Sequence, residues 1–105
     1  MLAYIGLGSN LKDPKEQIKR ALSALNDNNE IELMTSSSLY ESKPLLDIPG
    51  PNYINAVCKI ETKLSALDLL DLCQEIEESQ QRVREVKWGS RTIDLDILLY
   101  GGQII

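Results

Sequence analysis

The chain has 105 residues and a net charge of −5, which indicates one domain and argues against a general nucleic-acid binder. It contains no histidine, which excludes histidine-based acid–base catalysis and most transition-metal sites. No apolar stretch is long enough to span a membrane and no N-terminal segment resembles a signal peptide, so we expect a cytoplasmic protein without a membrane partner.

Hydrophobic periodicity and turn residues predict six elements. In chain order they are a strand over 2–7, a helix from 13 that ends over 26–29, a strand over 31–40 weakened by serines at 36–38, a strand over 53–62, a helix from 65 and a strand over the Asp-Leu-Asp segment at 94–96. This order is the split βαβ arrangement of ferredoxin-like α+β domains. We therefore expect a ferredoxin-like βαββαβ fold, in which two helices cover one face of an antiparallel sheet and the other face is open to a ligand.

Caps and glycines set several of the predicted boundaries. Asp13 and Ser65 each precede an acidic residue by three positions, which predicts a capping box at the start of both helices. The glycines at 6 and 8 predict a tight turn rather than a phosphate-binding loop, because no nucleotide-binding fingerprint is completed. A loop is predicted over 41–52, where three prolines fall.

Two features concern the core and the end of the chain. Cys58 and Cys73 lie in apolar patterns, and we expect both to be buried, reduced thiols. Gly101 and Gly102 predict a turn, after which a new strand begins at 103 and the chain stops. We therefore expect a truncated domain.

The last strand carries two carboxylates in an otherwise apolar run. Successive side chains on a strand point to opposite faces, so Asp94 and Asp96 share one face with their Cα atoms about 7 Å apart. Two like charges this close resist burial unless a cation lies beside them. Magnesium takes one or two carboxylates together with water and phosphate oxygens. Taken alone, the pair is also compatible with solvated residues on an edge strand.

A basic cluster comes immediately before these carboxylates. Of the four arginines in the chain, Arg82, Arg84 and Arg91 lie within ten residues, together with Lys87 and Trp88. The planar guanidinium group suits phosphate oxygens, which favours a metal–phosphate site over the solvated alternative. Taken singly, the arginines at the end of the helix also complement its dipole, and the tryptophan is compatible with a core position.

Three segments together resemble a known family. They are Ala3-Tyr-Ile-Gly-Leu-Gly-Ser-Asn-Leu11, Pro51-Asn-Tyr-Ile-Asn-Ala56, and Arg82-Val-Arg84 followed by Trp88-Gly-Ser-Arg-Thr-Ile-Asp-Leu-Asp96. They are similar to segments of the 6-hydroxymethyl-7,8-dihydropterin pyrophosphokinase (HPPK) family. The resemblance implies transfer of pyrophosphate from ATP to the pterin alcohol in folate biosynthesis, which leaves AMP. It covers residues 1–105 as an HPPK-like domain that lacks the family's C-terminal portion.

The resemblance also implies roles for individual residues. Asp94 and Asp96 would bind two Mg²⁺ ions, and Arg82 and Arg91 would act as catalytic donors to the transferring phosphates. The ATP-binding residues would be Glu77, Arg84, Lys87, Trp88 and Ile97, and the pterin-binding residues Ser42, Pro44, Leu45, Tyr53 and Asn55. The family often has arginine where this chain has Lys87. Lysine offers a compact ammonium charge in place of the bidentate guanidinium donor of arginine.

Several alternatives stay open from the residues themselves. Tyr53 and Asn55 also fit a cross-strand packing pair, and Glu77 also fits a solvated helix face. A truncated, non-catalytic fragment that binds pterin or nucleotide weakly is the alternative function. A regulatory module that uses only the fold is a further alternative, since fold does not imply function.

Overall fold

The computed structural model describes residues 1–10, 13–43, 52–80 and 92–104, and in these ranges it contains two helices and six strands. In chain order these are β1 (Leu2–Ser9), α1 (Pro14–Asn26), β2 (Ile31–Ser36), β3 (Tyr40–Ser42), β4 (Tyr53–Thr62), α2 (Ala66–Gln80), β5 (Asp94–Tyr100) and β6 (Gln103–Ile104). Neither helix in these ranges combines the length and the apolar composition that crossing a membrane requires.

The six strands form one sheet with the order β2-β4-β1-β5-β6, and β3 pairs with β4 beyond the end of β2. All of the pairings are antiparallel. The four longest strands lie in the order β2-β4-β1-β5, which is the order of a ferredoxin-like sheet. The predicted α+β fold is therefore confirmed. The strand predicted to begin at 103 is present as β6, and β3 is a short strand added to the prediction.

Both helices pack on the same face of the sheet and share one core. Burial alternates along β1, whose odd-numbered residues from Ala3 to Leu7 lie in the core while its even-numbered residues face the other side. Each helix contributes one apolar stripe: Ile18, Ala21 and Leu25 from α1, and Leu69, Cys73 and Ile76 from α2. In the described part of the chain, no helix covers the opposite face, so this face is open as predicted.

The first strand extends further than predicted. Gly6 and Gly8 lie inside β1 and pair with residues of both β4 and β5, so the tight turn predicted from these glycines is wrong. Glycine weakens an isolated strand, but the central strand is held by hydrogen-bonded neighbours on both sides. A strand interior can therefore accept glycine where another group approaches the backbone closely.

The predicted strand over 31–40 is broken at its serines into β2 and β3. Ser37 lies in the gap, where its N–H donates to the Val57 carbonyl oxygen at 2.8 Å. Its hydroxyl oxygen also accepts the Val57 N–H at 2.9 Å, in place of a backbone carbonyl. Because the chain resumes pairing at Tyr40, the predicted loop over 41–52 is wrong at 41 and 42. Residues 44–51 lie outside the described ranges.

The two predicted capping boxes have different outcomes. Ser65 caps α2, because its hydroxyl oxygen accepts the Asp68 N–H at 3.1 Å. Asp13 has a left-handed conformation (φ 61°), and its side chain makes no capping hydrogen bond, so the box predicted for α1 is wrong. In α1 the carbonyl oxygen of Asp13 accepts the Gln17 N–H at 3.1 Å.

Both cysteines are free and buried, as predicted. Burial raises the pKa of the Cys58 thiol to about 11 and that of Cys73 to about 12, from an ordinary value of 9.0. The negative charges of Glu77 and Asp96 also raise the pKa of Cys73. The thiols are therefore protonated and unreactive near neutral pH in the folded chain.

These shifts predict a loss of stability in alkali. In the unfolded chain the thiols ionise at about their ordinary pKa, whereas in the folded chain they stay protonated. Their contribution to stability is therefore full below pH 9, and it falls as the pH rises to about 11 for Cys58 and about 12 for Cys73. Urea unfolding at increasing pH should show this decline. A Cys58→Ala/Cys73→Ala double variant should show a shallower decline, and an equal decline in both proteins would contradict the assignment to the thiols.

Candidate active site

The open face of the sheet brings together residues from three neighbouring strands. The register places Asn55 of β4 and Asp94 of β5 on either side of Gly8, in one row across the sheet. Two residues further along the strands, Gly6 lies opposite Asp96 of β5. Two strand spacings separate the outer members of a row, so Asn55 and Asp94 have Cα atoms about 10 Å apart.

The two glycines form the floor of a cleft of about 530 Å³ on this face. A Cβ atom added at Gly8 would lie 3.2 Å from Asn55 Oδ1, and one added at Gly6 would lie 3.4 Å from Leu98 Cδ1. Any larger residue would project into the cleft between the amide and the carboxylates. A cleft of this volume is within the range that small-molecule ligands occupy.

One end of the cleft combines an amide, a hydroxyl group and an aromatic ring. Asn55 Nδ2 donates to Ser42 Oγ at 2.8 Å and lies 3.4 Å from the Tyr40 carbonyl oxygen. Tyr53 pairs with Ser42 in the register of β3 and β4, and both line the cleft. The structure thus brings together three residues that the sequence analysis assigned to the pterin. The hydrogen bond to Ser42 holds the Asn55 amide in one orientation.

The other end of the cleft is acidic. Asp94 is half-buried and Asp96 is exposed, and both line the cleft, while Leu95 between them is buried in the core. The predicted placement of the two carboxylates on one open face is therefore confirmed. In the described ranges no group of three or more possible metal-binding side chains occurs. The pair suits Mg²⁺, which takes few protein carboxylates and completes its shell with water and phosphate oxygens.

Two residues assigned to ATP lie elsewhere. The Ile97 side chain is 7% exposed and belongs to the core, on the face opposite the cleft, so any contact with a ligand would use its backbone. Glu77 is half-buried on α2, and its Oε2 accepts the Leu95 N–H at 2.8 Å. The alternative of a freely solvated Glu77 is therefore wrong.

The remaining predicted site residues lie outside the described ranges. They are Pro44 and Leu45 before β4, and Arg82, Arg84, Lys87, Trp88 and Arg91 before β5. Sequence reasoning missed the two glycines, Lys43 and Leu98, which also line the cleft. The signal for the glycines was present: they are spaced two residues apart, as are the two aspartates that they pair with.

Residues 4–105 match the family model described as 7,8-dihydro-6-hydroxymethylpterin-pyrophosphokinase (HPPK). The chain belongs to the HPPK family. This membership confirms the resemblance found in the three sequence segments, and it places the cleft in a chain whose family is defined by an activity on a pterin.

Curated relatives of the HPPK family match almost the whole chain. It is 57% identical over 103 residues to the 2-amino-4-hydroxy-6-hydroxymethyldihydropteridine pyrophosphokinase of Haemophilus influenzae, a match that covers 98% of this chain and 64% of that protein. It is 49% identical to the protein of the same name from Pseudomonas aeruginosa, over 97% of this chain and 63% of that protein. The Bacillus subtilis protein of that name is 38% identical, over 99% of this chain and 62% of that protein. The chain thus spans less than two thirds of the length of these three relatives.

Proposed function

We propose that this HPPK-family chain carries out Mg²⁺-dependent transfer of pyrophosphate from ATP to 6-hydroxymethyl-7,8-dihydropterin, in the cytoplasm, as a step of folate biosynthesis. The products are AMP and the pterin pyrophosphate. The observation that carries the proposal is the single cleft that joins a hydrogen-bonded amide at one end to paired carboxylates at the other. Both substrates are small molecules, and the proposal includes no nucleic-acid or membrane partner.

The acidic end of the cleft is the proposed site of the phosphates. Asp94 and Asp96 would hold two Mg²⁺ ions, which when bound supply charge neutralisation at the phosphate oxygens of ATP. The carboxylates themselves fix where the triphosphate lies relative to the sheet, because they project from adjacent positions on one strand face. Positioning and electrostatic stabilisation account for most of the catalysis in phosphoryl transfer, so the lack of histidine is no obstacle.

Basic residues are proposed to complete the nucleotide side. Arg82 and Arg91 would donate to the transferring phosphates, and bidentate guanidinium donors stabilise the charge that these oxygens carry. The proposed ATP contacts are Glu77, Arg84, Lys87, Trp88 and the backbone of Ile97. Because the cleft itself carries two carboxylates, cations from these residues and from Mg²⁺ are needed before it can accept a triphosphate.

The amide end of the cleft is the proposed pterin site, with Ser42, Pro44, Leu45, Tyr53 and Asn55 as contacts. Asn55 Oδ1 lies over Gly8 while Nδ2 is held by Ser42. A fixed amide oxygen suits a ring N–H donor of the pterin, and the tyrosine offers an aromatic surface. The distance of about 10 Å across two strand spacings leaves room for the bicyclic ring between the amide and the phosphates.

Formation of AMP tests the proposed function. The chain is incubated with ATP, Mg²⁺ and 6-hydroxymethyl-7,8-dihydropterin, and AMP is separated and measured; formation that requires all three is expected. The 57% identity to a named pyrophosphokinase favours this result over a non-catalytic fragment. Titration calorimetry with an ATP analogue and pterin separates the two: saturable binding without AMP would indicate the fragment, and no binding by the folded chain would contradict both.

Gly8→Ala is expected to weaken pterin binding about tenfold, which corresponds to about 1.4 kcal/mol. The added methyl group would lie 3.2 Å from Asn55 Oδ1, inside the cleft, and would displace either the amide or the ligand. The matched control is Gly102→Ala, since no atom lies within 4 Å of a Cβ at Gly102. Calorimetry with the pterin checks the prediction, and equal affinity in Gly8→Ala and the parent would contradict the assignment of this end of the cleft.

A further inference from the structure

The start of β5 is held from outside the sheet as well as within it. On one side β5 pairs with β1, but on its other side β6 pairs only with Leu99 and Tyr100. The segment that carries the two aspartates therefore lies at an edge of the sheet in the described part of the chain. At this edge the Leu95 N–H donates to Glu77 Oε2 of α2 at 2.8 Å.

This hydrogen bond fixes the peptide group that joins Asp94 to Leu95. A peptide unit is planar, so the direction of the Leu95 N–H sets ψ of Asp94 and φ of Leu95 together. The Leu95 side chain is 4% exposed and anchored in the core, so the backbone here is held at two points. Asp96 is exposed, and the direction in which it leaves the strand depends on the backbone before it.

We propose that Glu77 is a positioning residue, which holds the peptide group between Asp94 and Leu95 and so presets the carboxylates of Asp94 and Asp96 for divalent metal. This inference rests on the proposed function, because it assumes that the pair binds metal. Glu77 acts from the helix that covers the other face of the sheet, and the charge of its carboxylate strengthens the hydrogen bond to Leu95. Groups that orient metal ligands in this way typically change metal affinity by a factor of ten or more when they are lost.

Two substitutions separate this role from a simple effect of charge. Glu77→Gln keeps the side-chain length and an acceptor oxygen but removes the charge. Glu77→Asp keeps the charge but draws the carboxylate back by one methylene, out of reach of the Leu95 N–H. The positioning role predicts that the glutamine variant retains metal affinity within about threefold and that the aspartate variant loses about tenfold. A direct charge effect predicts the reverse order.

Tyr100→Phe is the matched control. It removes the hydrogen bond from Tyr100 Oη to the Leu64 carbonyl oxygen at 2.5 Å, which ties the other end of β5 to the segment before α2. Glu77→Asp and Tyr100→Phe each remove one hydrogen bond to β5. Of these two side chains, Glu77 is the one that contacts the peptide group between Asp94 and Leu95. Metal affinity is expected to be unchanged in Tyr100→Phe.

The measurement is the dissociation constant for Mn²⁺, from the electron paramagnetic resonance signal of free Mn²⁺, without nucleotide, because a triphosphate would itself bind the ion. Urea unfolding of every variant shows whether it is folded under these conditions. Full Mn²⁺ affinity in folded Glu77→Asp would overturn the inference. A tenfold loss of Mn²⁺ affinity in Glu77→Gln would also overturn it. If the aspartate variant does not fold, the glutamine variant alone tests the inference. Asp96→Ala serves as the reference: unchanged Mn²⁺ binding there, or no binding by the parent, would overturn the proposed metal site and this inference with it.

Discussion

Asp96→Asn is expected to lower the rate of AMP formation by about a thousandfold or more, which corresponds to about 4 kcal/mol of transition-state stabilisation. Asparagine keeps the shape of the side chain but removes the negative charge that a hard cation requires. Asp96 is exposed on the cleft side of β5 and lies outside the core, so the substitution removes no apolar packing. We therefore expect the fold to be preserved while the phosphates of ATP lose their metal.

Asp71→Asn is the control for this prediction. Asp71 is exposed on α2, and its substitution makes the same change in charge away from the cleft. AMP formation at saturating ATP and pterin, together with the urea midpoint, should be measured for both variants. Asp71→Asn should match the parent in both. An active Asp96→Asn variant would show that the carboxylate pair does not bind the metal used in transfer.

Ile5→Ala is expected to lower the free energy of unfolding by about 3 kcal/mol, as large-to-small substitutions in well-packed cores do. Ile5 is fully buried at the centre of the sheet, where it pairs with Cys58 on one side and Ile97 on the other. The neighbouring residues are held by strand pairing and cannot close the space that the side chain leaves. For a domain of this size the melting temperature should fall by roughly 12–24 °C.

Met34→Ala is the comparison for the core substitution. Its side chain is 50% exposed on β2, at an edge of the sheet, so shortening it removes little apolar contact. Its effect on the free energy of unfolding should be within about 0.5 kcal/mol. Urea denaturation at neutral pH measures both variants. Equal losses of stability in the two would contradict the assignment of the core to the helix-covered face.

Local patterns were sufficient to predict most of this fold. The alternation of Tyr53–Thr62 predicted β4 with its observed bounds, and the Asp-Leu-Asp spacing predicted that both carboxylates share the open face. Both patterns are properties of consecutive residues, and a strand transmits them directly to the two faces of a sheet. The same alternation places Tyr53 and Asn55 on the face that carries the aspartates.

Two of the predictions that were wrong depend on contacts that are distant in the sequence, and a third depends on local backbone conformation. Gly6 and Gly8 indicated a turn because glycine is a common turn residue, but pairing with two neighbouring strands outweighs that preference. Glu77 showed only a helix-surface pattern, and its partner Leu95 is 18 residues away. Asp13 matched a capping box by spacing, yet its backbone is left-handed and its side chain makes no capping hydrogen bond.

The floor of the cleft is made of peptide groups on β1, a strand that is paired on both sides. If an inhibitor lies flat on this floor, it contacts backbone atoms at Gly6 and Gly8, which substitution cannot remove. A substitution at either glycine adds bulk, and under the proposed function that bulk would weaken binding of the pterin as well. Resistance by substitution should therefore arise less readily against compounds that bind this backbone surface than against compounds that depend on side chains at the rim of the cleft.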